Sequence, residues 1–188
     1  AKPASLKGRE DLRHLPLVTI DPSDARDHDD AVAAELHDDG GATIWVAIAD
    51  VAHYVTPGSA LDREARKRGN STYFPDRVVP MLPDILSGDL CSLHEGVDRP
   101  MIAVRMRLDA QGNKVSHSFH RGMMRSAASL SYEQAQAAAD GNPDDQTAPL
   151  LHNVIEPLWG AYALLKAARD RRQPLELDLP ERKIVLTP

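Results

Sequence analysis

Apolar residues fall in short blocks along the first half of the chain. Leu15–Ile20 is nearly continuous apolar, the pattern of a strand buried on both faces. Ala31–His37 predicts a second strand, the Asp-Asp-Gly-Gly at 38–41 a turn, and Ala42–Val55 a long third strand. In that third strand Ile44, Val46 and Ile48 alternate with Trp45, Ala47 and Ala49, and Asp50 and His53 interrupt the pattern. Pro57-Gly58 breaks it, Ser59 is placed to cap a basic helix, and Gly69 stops that helix. Prolines at 75, 80 and 83 preclude a regular element, so an extended loop carrying Tyr73 and Phe74 is expected, then a short helix from Pro83. Arg99–Asp109 has the clearest period of two, with Ile102, Val104, Met106 and Leu108 facing away from Met101, Ala103, Arg105 and Arg107. The Ala-Gln-Gly-Asn at 110–113 turns the chain into a partner strand from Lys114. A short helix near Tyr132–Ala139 and a long one over Pro149–Arg172 follow. The long helix has a stripe of Leu151, Val154, Ile155, Leu158, Tyr162 and Leu165 and a kink expected at Pro157. Pro174 ends it, and a last strand is expected in the residues beyond. Residues 1–14 are polar and predict a linker, so 15–188 is the domain: mixed α/β (α+β), a largely antiparallel sheet flanked by helices.

Composition narrows the class without choosing a function. At 188 residues, 42% hydrophobic and 27% charged, the chain is an ordinary globular one with a core to bury. A net charge of −6 supplies no global positive field for nucleic acid, although a local basic stripe is compatible with it. The lone cysteine, Cys91, excludes an intramolecular disulfide and a Cys-based zinc site. The N-terminal residues lack the apolar core of a signal peptide, and no apolar run approaches the ~18 residues of a membrane span. No membrane contact and a cytoplasmic location are therefore expected.

The distinctive stretch is Leu17–Val32, where five aspartates, Asp21, Asp24, Asp27, Asp29 and Asp30, crowd between two strands. Carboxylates ~5 Å apart repel by roughly 3 kcal/mol per ionised pair at an effective dielectric near 20. Solvent, protons or a bound cation must relieve that repulsion. Composition alone weighs a metal site about equally against a solvated turn, because Asp is a favoured turn residue. An EF-hand calcium loop is excluded, since its sixth position is Arg26 rather than Gly and its twelfth is Val32 rather than Glu. His28, inside the cluster, is either a ligand or a bystander. His117 and His120, three apart on a strand, make a poor ligand pair. Tyr73 is open between stacking on a base and packing in the core, while burial is the better reading for Phe74. Arg99, Arg105 and Arg107 share a strand face that either tracks a phosphate backbone or is simply solvated.

The run VTIDPSDARDHDDAV, continuing through WVAIADVAHYVTPGSALDREARKRGNSTYFPDRVVPMLPDILSGDLCSLHEGVDRPMIAVRM and more weakly to LDLPERKI, resembles the RNB-type catalytic domain of the ribonuclease II/ribonuclease R family. The likeness runs from about Arg9 and is nearer the bacterial ribonuclease R branch. It implies a processive, Mg²⁺-dependent exoribonuclease that releases nucleoside 5′-monophosphates from the 3′ end of single-stranded RNA. The family's four acidic positions fall on Asp21, Asp27, Asp29 and Asp30. The resemblance implies that Asp21 and Asp30 bind one or two Mg²⁺ ions, that Asp27 helps hold the site, and that Asp29 is the position most specific to chemistry. It leaves Asp24 to brace the loop. Tyr73 matches the tyrosine that packs on the terminal nucleotide, and Arg105 and Arg107 become candidate substrate contacts. The family's base-clamping aromatic aligns with Leu177, and Gln173-Pro174-Leu175 stands where several relatives have Arg-Gly-Ala, two departures from the pattern. The family domain continues beyond the point matching Pro188, with a catalytic arginine and a glutamate. Cold-shock domains normally precede it and an S1 domain follows, so this chain is expected to be the N-terminal part of a truncated RNB-type domain.

Overall fold

A seven-stranded sheet in the order β1-β8-β7-β4-β3-β2-β9 forms the centre of the computed structural model, which describes residues 2–175. Its strands are β1 (Glu10–Asp11), β2 (Val18–Asp21), β3 (Asp30–Leu36), β4 (Ala42–Ala49), β7 (Asp98–Leu108), β8 (Lys114–Arg125) and β9 (Ala128–Ser131). A separate hairpin pairs β5 (Thr72–Tyr73) with β6 (Val78–Val79). The helices are α1 (Ala60–Arg68), α2 (Tyr132–Ala139) and α3 (Glu156–Asp170). The long central pairings β3–β4, β4–β7 and β7–β8 are antiparallel, and the pairings β1–β8 and β2–β9 are parallel. The mixed α+β architecture expected from the pattern is the one observed.

Small residues decide how the central strands are covered. Ala31 and Ala33 on β3, Ala47 and Ala49 on β4 and Ala103 on β7 are buried together with Leu86, Leu90, Cys91 and Leu93. A face carpeted with alanine lets the segment before β7 approach the strands closely and seat its leucines there, in keeping with the close packing of protein interiors. On the other face Ala34, Ile44 and Leu108 pack against Ala161 of α3, and Val18, Ala128 and Leu130 pack against Ala135 of α2 and Val154. Gly112 closes the β7–β8 turn at φ +75°, and a Cβ there would run into the main chain of α3 at Leu164.

Five local expectations need correction. The prolines at 75, 80 and 83 do not preclude regular structure, because Thr72–Tyr73 and Val78–Val79 pair on either side of Pro75 in a short antiparallel hairpin. Residues 9–14 are not linker: Glu10-Asp11 pairs with β8, Leu12 is 3% exposed, and Arg9 is buried. The third strand stops at Ala49, where Asp50 turns the chain into a short 3-10 turn over Val51–His53. The long helix from Pro149 is three segments: a 3-10 turn at Ala148–Leu150, a π-helical turn at Leu151–Ile155, and α3 from Glu156. Pro157 has no N–H for the α ladder, which is why regular α geometry restarts beside it. The wide turn shifts the helical phase, so Ala161 and Ala168 are buried while Tyr162 and Leu165 lie exposed. Phe74, expected in the core, is 45% exposed with the Arg77 guanidinium 5.0 Å above its ring. Strand β9, a four-residue element paired in parallel with β2, has no counterpart in the sequence pattern. The expected last strand and Leu177 lie outside the described residues.

The edge of the sheet is tied down by charge. Oδ2 of Asp50 accepts hydrogen bonds from Arg9 Nη2 at 2.7 Å and Arg121 Nε at 2.9 Å, and the Asp50 side chain is 1% exposed. Burial alone would raise the Asp50 pKa, but the two guanidiniums outweigh it and hold the carboxyl below the usual aspartate value. A carboxyl whose pKa is lowered by folding adds stability above its unfolded pKa and loses that contribution as pH falls through the folded value. Asp50→Ala is expected to lower unfolding stability by roughly 3 kcal/mol in urea at pH 7, because it strands the buried Arg9 charge. Between Asp50→Asn and the wild type, the difference should shrink below about pH 4; a difference independent of pH would refute the role assigned to this carboxylate.

Candidate metal centre

The aspartates gather where β2 ends and β3 begins. Asp21 is the last residue of β2, Asp30 the first of β3, and the acidic loop joins them. Pairing of Val18 with Val32 sets the two strands side by side, and a full ladder from Asp30↔Ile48 to Leu36↔Ala42 fixes β3 on β4. The main chain around Asp29 is held from two sides. Ala49 N donates to Asp29 O at 2.9 Å, Leu93 N donates to His28 O at 2.7 Å, and His28 N donates to Ser92 Oγ at 3.0 Å.

The electrostatics single this loop out. Burial, and then the charges of Asp29 and Asp21, push the Asp30 carboxyl above its ordinary pKa. Elsewhere several aspartates are answered by arginine: Asp39 by Arg107, Asp62 by Arg66, Asp76 by Arg77, Asp89 by Arg99, and Asp98 by Arg13 and Arg125. Asp109 and Asp144 are held instead by neighbouring amide and hydroxyl groups. Among the described residues no lysine or arginine pairs with Asp21, Asp27, Asp29 or Asp30. His28 is the partner the loop does supply: its Nδ1 lies 2.7 Å from Asp21 Oδ2. The bystander reading of His28 is therefore replaced by a structural contact.

This donor set suits a hard divalent cation. Carboxylate oxygens are the ligands Mg²⁺ selects, and that ion needs only one or two of them beside water and substrate phosphate. Among the described residues no three His, Cys, Asp or Glu side chains converge on a common point. The fit is thus to an ion held by few protein oxygens rather than to a closed protein cage.

Other candidate residues lie apart from this cluster. Arg105 and Arg107 pair with Trp45 and Thr43 on β4, whose β3 partners Ala33 and Glu35 lie well along the strand from Asp30. The Arg105 guanidinium sits 5.8 Å from the Trp45 ring centroid. The Arg107 guanidinium bonds Asp39 Oδ2 at 2.5 Å and the carbonyls of Ala42 and Leu108. Arg99, on the same face, is 7% exposed and turned inward. Tyr73 stands on the β5–β6 hairpin, 68% exposed. That hairpin is tied down by Arg68 Nη1 donating to Pro80 O at 2.9 Å and Met81 N donating to Ser71 Oγ at 2.9 Å. Sequence reasoning missed Ser92, which carries no motif signal. It read Arg99 as part of a surface stripe, although the Pro beside it and the apolar residues after it mark the start of a buried strand.

The RNB domain family profile matches residues 9–188. Ribonuclease R of Vibrio parahaemolyticus is 48% identical over 180 residues, covering 95% of this chain and 21% of that protein. Two solved structures of Mycoplasma genitalium RNase R, one with double-stranded RNA and one with ribose-methylated single-stranded RNA, superpose with a TM-score of 0.89 at 32% identity. They cover 95% of this chain and 32% and 28% of theirs. The chain therefore spans about a fifth of the length of the curated relative it matches.

Because Asp30 is held above its ordinary pKa by burial and like charge, its ionised form destabilises the fold as pH rises through that value. In chelator at pH 7, Asp30→Asn is expected to raise the thermal midpoint by a degree or more, about the scale of a few tenths of a kcal/mol in a domain this size. A lower midpoint would show that the carboxylate is already satisfied within the protein.

Proposed function

The chain belongs to the RNB domain family, and on that footing we propose that it is part of the catalytic domain of a processive 3′-to-5′ exoribonuclease. Its substrate is single-stranded RNA, hydrolysed to nucleoside 5′-monophosphates in the cytoplasm. The observation that carries this reading is the quartet Asp21, Asp27, Asp29 and Asp30, hard oxygen donors at one sheet end with no lysine or arginine among the described residues to neutralise them. Asp21 and Asp30 would hold one or two Mg²⁺ ions beside water and substrate phosphate, with Asp27 helping to hold the site and Asp29 the position most specific to chemistry. Bound there, the cation supplies the charge that activates water and stabilises the leaving oxygen of a phosphodiester.

The remaining work falls to the chain's own residues. His28 holds Asp21 by a 2.7 Å contact, so the carboxylate at the end of β2 keeps one orientation. Tyr73, exposed on its hairpin, offers a ring on which an unstacked terminal base can lie, worth ~1–3 kcal/mol without regard to sequence. A base must leave its helix to meet such a ring, which favours a single strand. RNA in both Mycoplasma structures supports the polymer class. Arg105, exposed beside Trp45, is the better placed of the two strand arginines for a phosphate, since Arg107 is bonded to Asp39. The length of the relatives supports a longer parent; by family resemblance, residues beyond this segment would complete the site and cold-shock and S1 domains would flank it.

Two other readings keep the fold: an RNA-binding module that does not cleave, and a metal loop that only pins two strands. Release of mononucleotide from 3′-labelled oligo(A) with Mg²⁺ separates them in the full-length protein. Release is expected, and Asp29→Asn should cut it about 100-fold or more, the upper range for loss of a metal-site group. Tyr73→Ala should raise KM while leaving most of kcat. No release by the parent leaves the binding module; full-rate release by Asp29→Asn overturns the role given to Asp29. If Mg²⁺ raises the thermal midpoint and no release occurs, the structural loop is the reading that stands.

A further inference from the structure

We propose that Ser92 and Arg99 are positioning residues that set the aspartate loop for cation binding, an inference that rests on reading the quartet as a cation site. Ser92 and Leu93 are both fully buried, and they engage His28, the residue between Asp27 and Asp29, through both of its main-chain polar groups. Ser92 Oγ accepts from His28 N at 3.0 Å, and Leu93 N donates to His28 O at 2.7 Å. Together with the bond from Ala49 N to Asp29 O, this two-bond clamp leaves the backbone that carries Asp27 and Asp29 little freedom.

The clamp is itself held by one arginine. Arg99 Nε donates to Ser92 O at 2.8 Å and Nη2 to Asp89 Oδ1 at 2.7 Å. The guanidinium side chain is 9% exposed, whereas that of Asp89 is 50% exposed. A buried guanidinium pays a desolvation penalty that an apolar side chain of similar volume avoids, so such a group is poor evidence for stability alone. What an apolar residue cannot do is hold the Ser92 carbonyl in one place. The line of force runs from β7 through Arg99 and Ser92 to His28, and ends at the carboxylates on either side of it. Groups that orient ligands in this way are worth roughly 10- to 100-fold in metal affinity or activity.

Mn²⁺ affinity of the chain, read from the free-ion electron paramagnetic resonance signal, tests the proposal alongside amide exchange at His28. Ser92→Ala removes the acceptor, and Arg99→Lys keeps a positive charge for Asp89 but not the fixed Nε geometry. Each is expected to weaken Mn²⁺ binding roughly tenfold and to speed exchange of the His28 amide. Leu108→Ala, which destabilises the sheet at its far end, is the control for lost stability and should leave the Mn²⁺ affinity at the wild-type value. If Ser92→Ala does not fold, Arg99→Lys decides. Wild-type affinity in Arg99→Lys overturns the proposal, as does an equal loss in Leu108→Ala. A wild-type chain that binds no Mn²⁺ overturns the cation reading itself, and this inference with it.

Discussion

Carboxylates that a fold leaves without cationic partners repel one another, and only the main chain can keep them close. In this protein that constraint falls on the junction of β2 and β3. The ladder from β3 to β4 and the bonds to Asp29 O and to both polar groups of His28 hold the acidic loop in place. Repulsion shows in the raised pKa of Asp30, to which burial contributes most and Asp29 and Asp21 add. The same chain pairs Asp50 with two arginines and Asp98 with two more. It has the means to neutralise carboxylates, yet among the described residues no lysine or arginine pairs with this quartet, and His28 contacts Asp21.

Packing explains how the loop can be held so closely. Alanines at 31, 33, 47, 49 and 103 leave a shallow face on three central strands. Leu86, Leu90 and Leu93 fill that face, and filling it brings Ser92 and Leu93 within bonding distance of His28. Larger residues in place of the alanines would push the covering segment outward, at a cost of about 1–3 kcal/mol for overpacking. They would also draw the clamp away from the loop. The core and the site are coupled through this one segment, with Arg99 fixing it to β7.

Most of the architecture was legible because the signals were local. Alternation predicted β4 and β7, and the turns at 38–41 and 110–113 placed their partners β3 and β8; Ser59 and Gly69 marked the ends of α1; the acidic loop announced itself by its spacing. What escaped were features made by distant partners. Strand β9 is four residues long and gains its identity from β2, more than 100 residues earlier in the chain. Glu10-Asp11 looks like linker until β8 arrives beside it. Arg99, Arg105 and Arg107 look alike in a period-two pattern, yet one is buried beneath Ser92, one lies against Trp45, and one is bonded to Asp39. Side-chain destinations of that kind depend on tertiary neighbours, which no strand periodicity encodes. The acid spacing by itself is shared by a metal site and a solvated turn; which carboxylates lack an arginine partner is a tertiary fact.

Fold alone does not separate a nuclease from a binding module, since one scaffold carries many functions. The charge balance of the site argues more sharply. A module selected only to bind RNA gains nothing from four carboxylates, because each repels the phosphate backbone it must approach. A structural turn would gain from an arginine paired to its carboxylates, as Asp39 gains from Arg107; Arg26 lies in the loop, yet among the described residues no arginine pairs with the quartet. Leaving the quartet without such a partner costs stability, and functional sites are where natural proteins tolerate that cost. A divalent cation reverses both terms at once: it relieves the repulsion and turns an anionic surface into one that a phosphodiester can meet. The unneutralised loop therefore argues for chemistry on a phosphodiester more strongly than for either passive role.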